Sequence, residues 1–158
     1  MLGLAVQPPV RARPGMALYP PPVATLSSNV DMFDELSRIW VVATLVQHNG
    51  DVVADRVTGS LSDSAHPMPR ALSTHREQAY FCFPNLVIRC PGTYRLRITM
   101  MRMDNASHTA SPVRVEEQVE TVTITVADVE CRQPKMTSAE RSYLRALRSD
   151  GLNIPSPS

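Results

Sequence analysis

Proline sets the limits on what this chain can become. Fourteen of its 158 residues are proline, once as a triplet, Pro20-Pro21-Pro22, against only six glycines. Proline has no backbone N–H and a fixed φ, so it interrupts helix interiors and central strand ladders alike. A bundle of long helices is disfavoured, and short strands joined by proline-bearing turns are favoured. Apolar residues make up 43% of the chain, enough for one packed core. The length suits a single domain, 1–158, with little room for a second.

The hydrophobic pattern agrees. Residues 39–46 (IWVVATLV) are the most apolar stretch, short for a helix and rich in β-branched side chains, and read as a buried central strand. Residues 93–102 alternate, with Tyr94, Leu96, Ile98 and Met100 on one side and Arg95, Arg97 and Thr99 on the other. One face therefore packs on a core and the other meets solvent or a partner. Residues 120–126 alternate again, with Val122, Ile124 and Val126 inward. Residues 23–26, 57–61, 80–83 and 86–89 read as further short strands, and 62–78 as a long polar surface loop. Residues 1–22 form a proline-rich N-terminal strand and loop.

Only 138–150 reads as helix. Thr137 and Glu140 have the spacing of a capping box, and Gly151 suits a left-handed C-cap. Leu144 and Leu147, with Tyr143 beside them, make an apolar stripe; Arg141, Arg145 and Arg148 make a basic one. The whole predicts an all-β sandwich with a short C-terminal helix.

The net charge of +1 excludes a uniformly basic nucleic-acid coat but hides segregation. Residues 81–115 carry five arginines and one aspartate, whereas 116–130 carry five acids and no base. Such blocks suit a partner of one sign on one surface. Arg95 and Arg97 are read either as cross-strand partners of the 116–120 acids or as part of that surface. Fifteen arginines stand against a single lysine, a bias towards bidentate contacts with carboxylate or phosphate. Arg11 and Arg13 lie in the proline-rich loop, a stiff support for guanidinium groups.

Catalytic patterns are missing. His48, His66, His75 and His108 all fall in expected loops and read as solvated. HExxH, GxSxG, Walker and GxGxxG motifs do not occur. Cys82, between Phe81 and Phe83, reads as a buried inert thiol. Cys90 lies in a turn, and with Cys131 the three cysteines lack metal-type spacing and read as reduced thiols. An enzyme, a metal, a cofactor and a small-molecule substrate are not expected. No apolar run approaches the roughly 18–20 residues of a membrane span, and the first residues make a poor signal peptide.

One run carries more. YFCFPNLVIRCPGTYRLRITM (80–100) resembles the signature of the fungal velvet domain, F-x-F-P-D-L-x-V-R-x-x-G-x-Y-R-L-x-F. Phe81, Phe83, Pro84, Leu86, Arg89, Gly92, Tyr94, Arg95 and Leu96 match it; Asn85 replaces the aspartate. LAVQPPVRARPG, YPPPVATL, Val57-Thr58-Gly59-Ser60 and RALRSDGLNI are similar to other segments of that family, in order along the chain. The resemblance implies an immunoglobulin-like, Rel-homology-like sandwich. It implies a nuclear regulator, able to shuttle with the cytoplasm, of fungal development, sporulation and secondary metabolism. Its partners would be other velvet-domain proteins, as a homo- or heterodimer, and DNA. Arg11, Arg13 and Lys135 would meet the DNA. The family's basic cluster is replaced here by uncharged GMALY (15–19), which weakens the phosphate contacts. A protein-interaction adaptor that pairs with other velvet proteins without binding DNA is the alternative.

Overall fold

The computed structural model describes residues 1–28, 32–69, 77–103, 113–128 and 136–151. Among these residues twelve strands and one α-helix follow in order: β1 (Leu2–Val6), β2 (Arg11–Ala12), β3 (Val23–Ser27), β4 (Ile39–Gln47), β5 (Val57–Thr58) and β6 (Ser62–Ser64). They continue with β7 (His66–Pro67), β8 (Glu77–Cys82), β9 (Val87–Ile88), β10 (Gly92–Met103), β11 (Val113–Glu120), β12 (Ile124–Val126) and α1 (Ser138–Ser149). The first sheet has the order β1-β3-β8-β7 and the second β2-β12-β10-β4-β6, with β11 also paired to β10. β5 and β9 make a two-stranded ribbon. The architecture is the expected all-β sandwich with one short C-terminal helix.

β10 organises the second sheet. One edge pairs with β4 from Tyr94↔Gln47 to Arg102↔Ile39. The other edge is shared: Gly92 to Tyr94 pair with β12, and Arg97 to Met103 with β11. Tyr94, Leu96, Ile98 and Met100 are buried, as the alternation predicts, and so are Ile39, Val41, Ala43 and Leu45 of β4. They meet Leu26, Phe81 and Phe83 of the opposite layer in one core. Phe81 and Phe83 are fully buried, worth about 2–3 kcal/mol each in water-excluded surface.

A third layer covers the far side of the first sheet. Leu144 and Leu147 of α1 pack with Val6, Val23, Tyr80 and Cys82. β8 is therefore buried on both faces, which is why it reads as an apolar run rather than an alternation. Thr137 caps the helix as predicted: its Oγ1 accepts from Glu140 N at 3.1 Å, and Glu140 Oε1 accepts from Thr137 N at 3.2 Å. The other oxygen of Glu140 accepts from Gln7 N at 3.1 Å and ties the helix start to the chain after β1.

Three expectations are corrected. Residues 120–126 are not one strand. Thr121 takes both ladder bonds of Leu96, its N–H donating to Leu96 O at 2.9 Å and its Oγ1 accepting from Leu96 N at 3.0 Å. The ladder breaks there, and Val122 turns outward with 38% of its surface exposed. Residues 62–78 are not simply a loop: β6 ends the second sheet, β7 joins the first, and the chain crosses between layers at Ala65. Asp63 pins this crossing, accepting from Cys82 N at 2.8 Å and pairing with His66 Nε2 at 3.0 Å. The 57–61 strand shrinks to Val57 and Thr58 because Gly59, at φ +113°, turns the chain away.

Candidate nucleic-acid interface

The turns of the signature run are locked in place at one end of the sandwich. A Cβ on Gly59 would fall 2.3 Å from Asn85 O, so only glycine lets the two turns meet. Asn85 Oδ1 then accepts from Ser60 N at 2.9 Å, a bond an aspartate would make equally well. The fully buried Tyr94 sends its hydroxyl to Cys90 O and Pro91 O, both at 3.0 Å.

Three chain segments lie side by side at this end. Gly15 N donates to Ile88 O at 3.0 Å, and Leu18 N to Leu86 O at 2.8 Å, which lays the Arg13 turn against β9. On the other side Arg89 N donates to Arg56 O at 2.7 Å. Arg56 and exposed Arg89 are thereby cross-strand neighbours, and Arg56 Nη1 donates to the Tyr94 hydroxyl at 3.4 Å. That bond raises the Arg56 pKa further and holds its guanidinium over the 90–92 turn. β2 runs parallel to β12 in the register Thr125↔Arg11 and Val126↔Ala12. Ala12 and Val126 are buried, so Arg11 projects to the opposite, exposed side. Among the described residues the Arg11 side chain meets no acid within ion-pair distance; Asp55 and Asp128 are exposed.

The predicted positions fare unequally. Arg11 and Arg13 come to this end together. Lys135 lies outside the described residues, as do Cys131, His75 and His108. Arg56 and Arg89 were missed, because a ribbon of two two-residue strands leaves no periodic trace in the sequence. The expected single-sign surface is corrected in part. The basic β10 and acidic β11 are adjacent strands: Arg97 Nε lies 3.1 Å and Arg95 Nη1 3.6 Å from Glu120. Charges segregated along the chain are thus neutralised across the sheet. Arg141, Arg145 and Arg148 are exposed on α1, with Arg148 Nη2 donating to the Tyr19 hydroxyl at 3.1 Å.

Other candidates resolve as follows. Cys82 is buried, and desolvation pushes its thiol up to about 12, so it stays protonated and unreactive at neutral pH. His66 departs from the solvated reading. Its ring stacks on Tyr80 with centroids 5.0 Å apart, and the bond to Asp63 raises its pKa despite partial burial. His48 is exposed. Among the described residues no three His, Cys, Asp or Glu side chains converge as a metal site, and no helix is long and apolar enough to cross a membrane.

The fold is a β-sandwich that brings Arg11, Arg13, Arg56 and Arg89 to one end. Residues 22–130 match the Velvet factor family, well over half of the chain, and the chain belongs to that family. It is similar to the Spore development regulator vosA of Cochliobolus sativus, 28% identical over 113 residues that cover 65% of this chain. The match spans 32% of that relative's length.

Proposed function

We propose that the chain is a velvet-type regulator of fungal development and sporulation that acts in the nucleus, on genes that include those of secondary metabolism. It binds duplex DNA and pairs with a second velvet domain. The observation that carries the DNA reading is the grouping of Arg11, Arg13, Arg56 and Arg89 at one end of the sandwich. Like charges on neighbouring strands repel, and an anion between them removes that cost. Guanidinium groups on rigid backbone meet phosphates through paired N–H donors, which positions a duplex without reading its bases. Lys135 belongs to the same proposal.

The test is titration of duplex DNA at several salt concentrations. Each phosphate contact adds nearly one unit to the slope of log affinity against log salt. Arg11→Ala and Arg89→Ala each lower that slope by about one unit, whereas Arg97→Ala, already paired with Glu120, leaves it unchanged. Absence of binding at low salt, alone or with a velvet partner, overturns the DNA role.

One observation favours the adaptor reading. The 15–19 loop carries no cation, and Met16 is 51% exposed there. Co-purification with another velvet protein, with DNA affinity indifferent to Arg11→Ala and Arg13→Ala, selects the adaptor over the DNA binder.

A further inference from the structure

The two outer faces of the sandwich differ. The first sheet is covered by α1 through Leu144 and Leu147. The second sheet has no such cover among the described residues, and its outer face is apolar at one end. Even-numbered residues of β4 point outward, since Ile39, Val41, Ala43 and Leu45 fill the core. Trp40 therefore stands beside Met101 on the open face, and Met101 beside Val115. Met103 and Val113 form the next pair. Exposure reaches 40% at Met103, 38% at Val113 and 56% at Val115, a contiguous apolar patch rather than scattered residues.

The seam between β10 and β11 has a property that selects the occupant. Its outward cross-strand pairs are Met103 with Val113, Met101 with Val115, Thr99 with Gln118, and Arg97 with Glu120. In each pair the two members attract: apolar with apolar, polar with polar, cation with anion. A two-fold axis running along this seam exchanges the strands. It lays β10 of one copy over β11 of the other, so each pair is repeated across the interface: Met101 over the second copy's Val115, Arg97 over its Glu120. A polyanion is a poorer occupant, since among the described residues Arg97 and Arg95 both already lie against Glu120. Edge-to-edge pairing of β11 is opposed by the irregular register at Met100/Met101 and by Arg114, Glu116 and Glu117 along that strand.

We propose that the outer face of the second sheet, along the β10–β11 seam, docks a second copy of this chain face to face about a two-fold axis. The proposal deepens the pairing half of the function above and rests on it. Two sheet faces stacked in this way repeat the packing that already joins the two sheets inside each copy.

Sedimentation velocity of the 158-residue chain across a range of concentrations tests it. The unaltered chain is expected to associate to a dimer. Val115→Lys raises the dissociation constant at least about tenfold, because it buries an unpaired charge in an apolar contact. Its melting temperature at high dilution stays unchanged, since Val115 is exposed in the single chain. Met103→Lys serves as an independent variant. Glu120→Arg weakens the dimer, because it sets like charges against each other across the contact. A dimer indifferent to Val115→Lys and Met103→Lys overturns the surface while pairing itself stands. A chain that stays monomeric overturns self-association, and duplex binding in that same sample shows that the DNA reading survives it.

Discussion

Gly92 and Tyr94 show how a two-residue spacing becomes a structural requirement. On a strand they face the same side, and the Tyr94 hydroxyl folds back over the glycine to reach the turn before it. A Cβ at Gly92 would lie 2.7 Å from that oxygen, and the buried ring has nowhere to retreat. The backbone φ of +153° adds a second cost. Gly92→Ala should therefore lose about 2–4 kcal/mol, read as a lower urea midpoint with an unchanged slope. The pattern G-x-Y was legible in the sequence, but its reason was not, because it depends on where the ring comes to rest. His66 was misread for the same cause: its acidic and aromatic neighbours come from a strand edge that only the fold assembles. Its pKa in the folded chain lies above the ordinary 6.5, through the bond to Asp63, with Asp150 adding in the same direction. The pair therefore supports the fold fully below pH 6.5 and less as pH rises through the folded value. Solvent screening at this half-exposed site keeps the effect to about a few tenths of a kcal/mol. The melting temperature should show a small downward step as pH climbs above 6.5, absent in His66→Gln; an identical profile in that variant contradicts the assignment.

Elements were legible where their pattern is local. β4 and β10 have one buried face each and announce it by alternation; α1 carries its own cap and stripe. β11 offered no such signal, because VRVEEQVE is exposed along most of its length and packs mainly by its edge. β6 and β7 are too short for any period to develop. The division of one β10 edge between β11 and β12 has a dynamic result. β12 is anchored by fully buried Ile124 and by Val126, and it bonds both to β10 and to the chain around β2. β11 lacks that anchorage, and Thr121 clamps the chain between the two. β11 should open locally without disturbing its neighbour. Its amides are expected to exchange with solvent at least about tenfold faster than those of β12, at dilutions that keep the chain monomeric. Equal protection of the two strands would falsify this division.

Over the whole molecule, the layered architecture followed from composition and alternation, but the distribution of charge did not. The segregated blocks left two readings of Arg95 and Arg97 open, and the cross-strand pairing with the 116–120 acids is the one that holds, because register is set by long-range pairing. The arginines at the end of the sandwich come from three separate segments, which a linear scan has no means of joining. Fourteen prolines were informative at this scale because they exclude, and exclusion needs no contacts. The placement of α1 on one side alone has an outcome for any assembly. In a pair built across the bare sheets, the two helices end up on opposite poles, back to back. Arg141 and Arg145 of one subunit then face away from those of the other, so no single rod-shaped polymer can touch both sets at once; a duplex held by both subunits has to cross the waist of the particle instead.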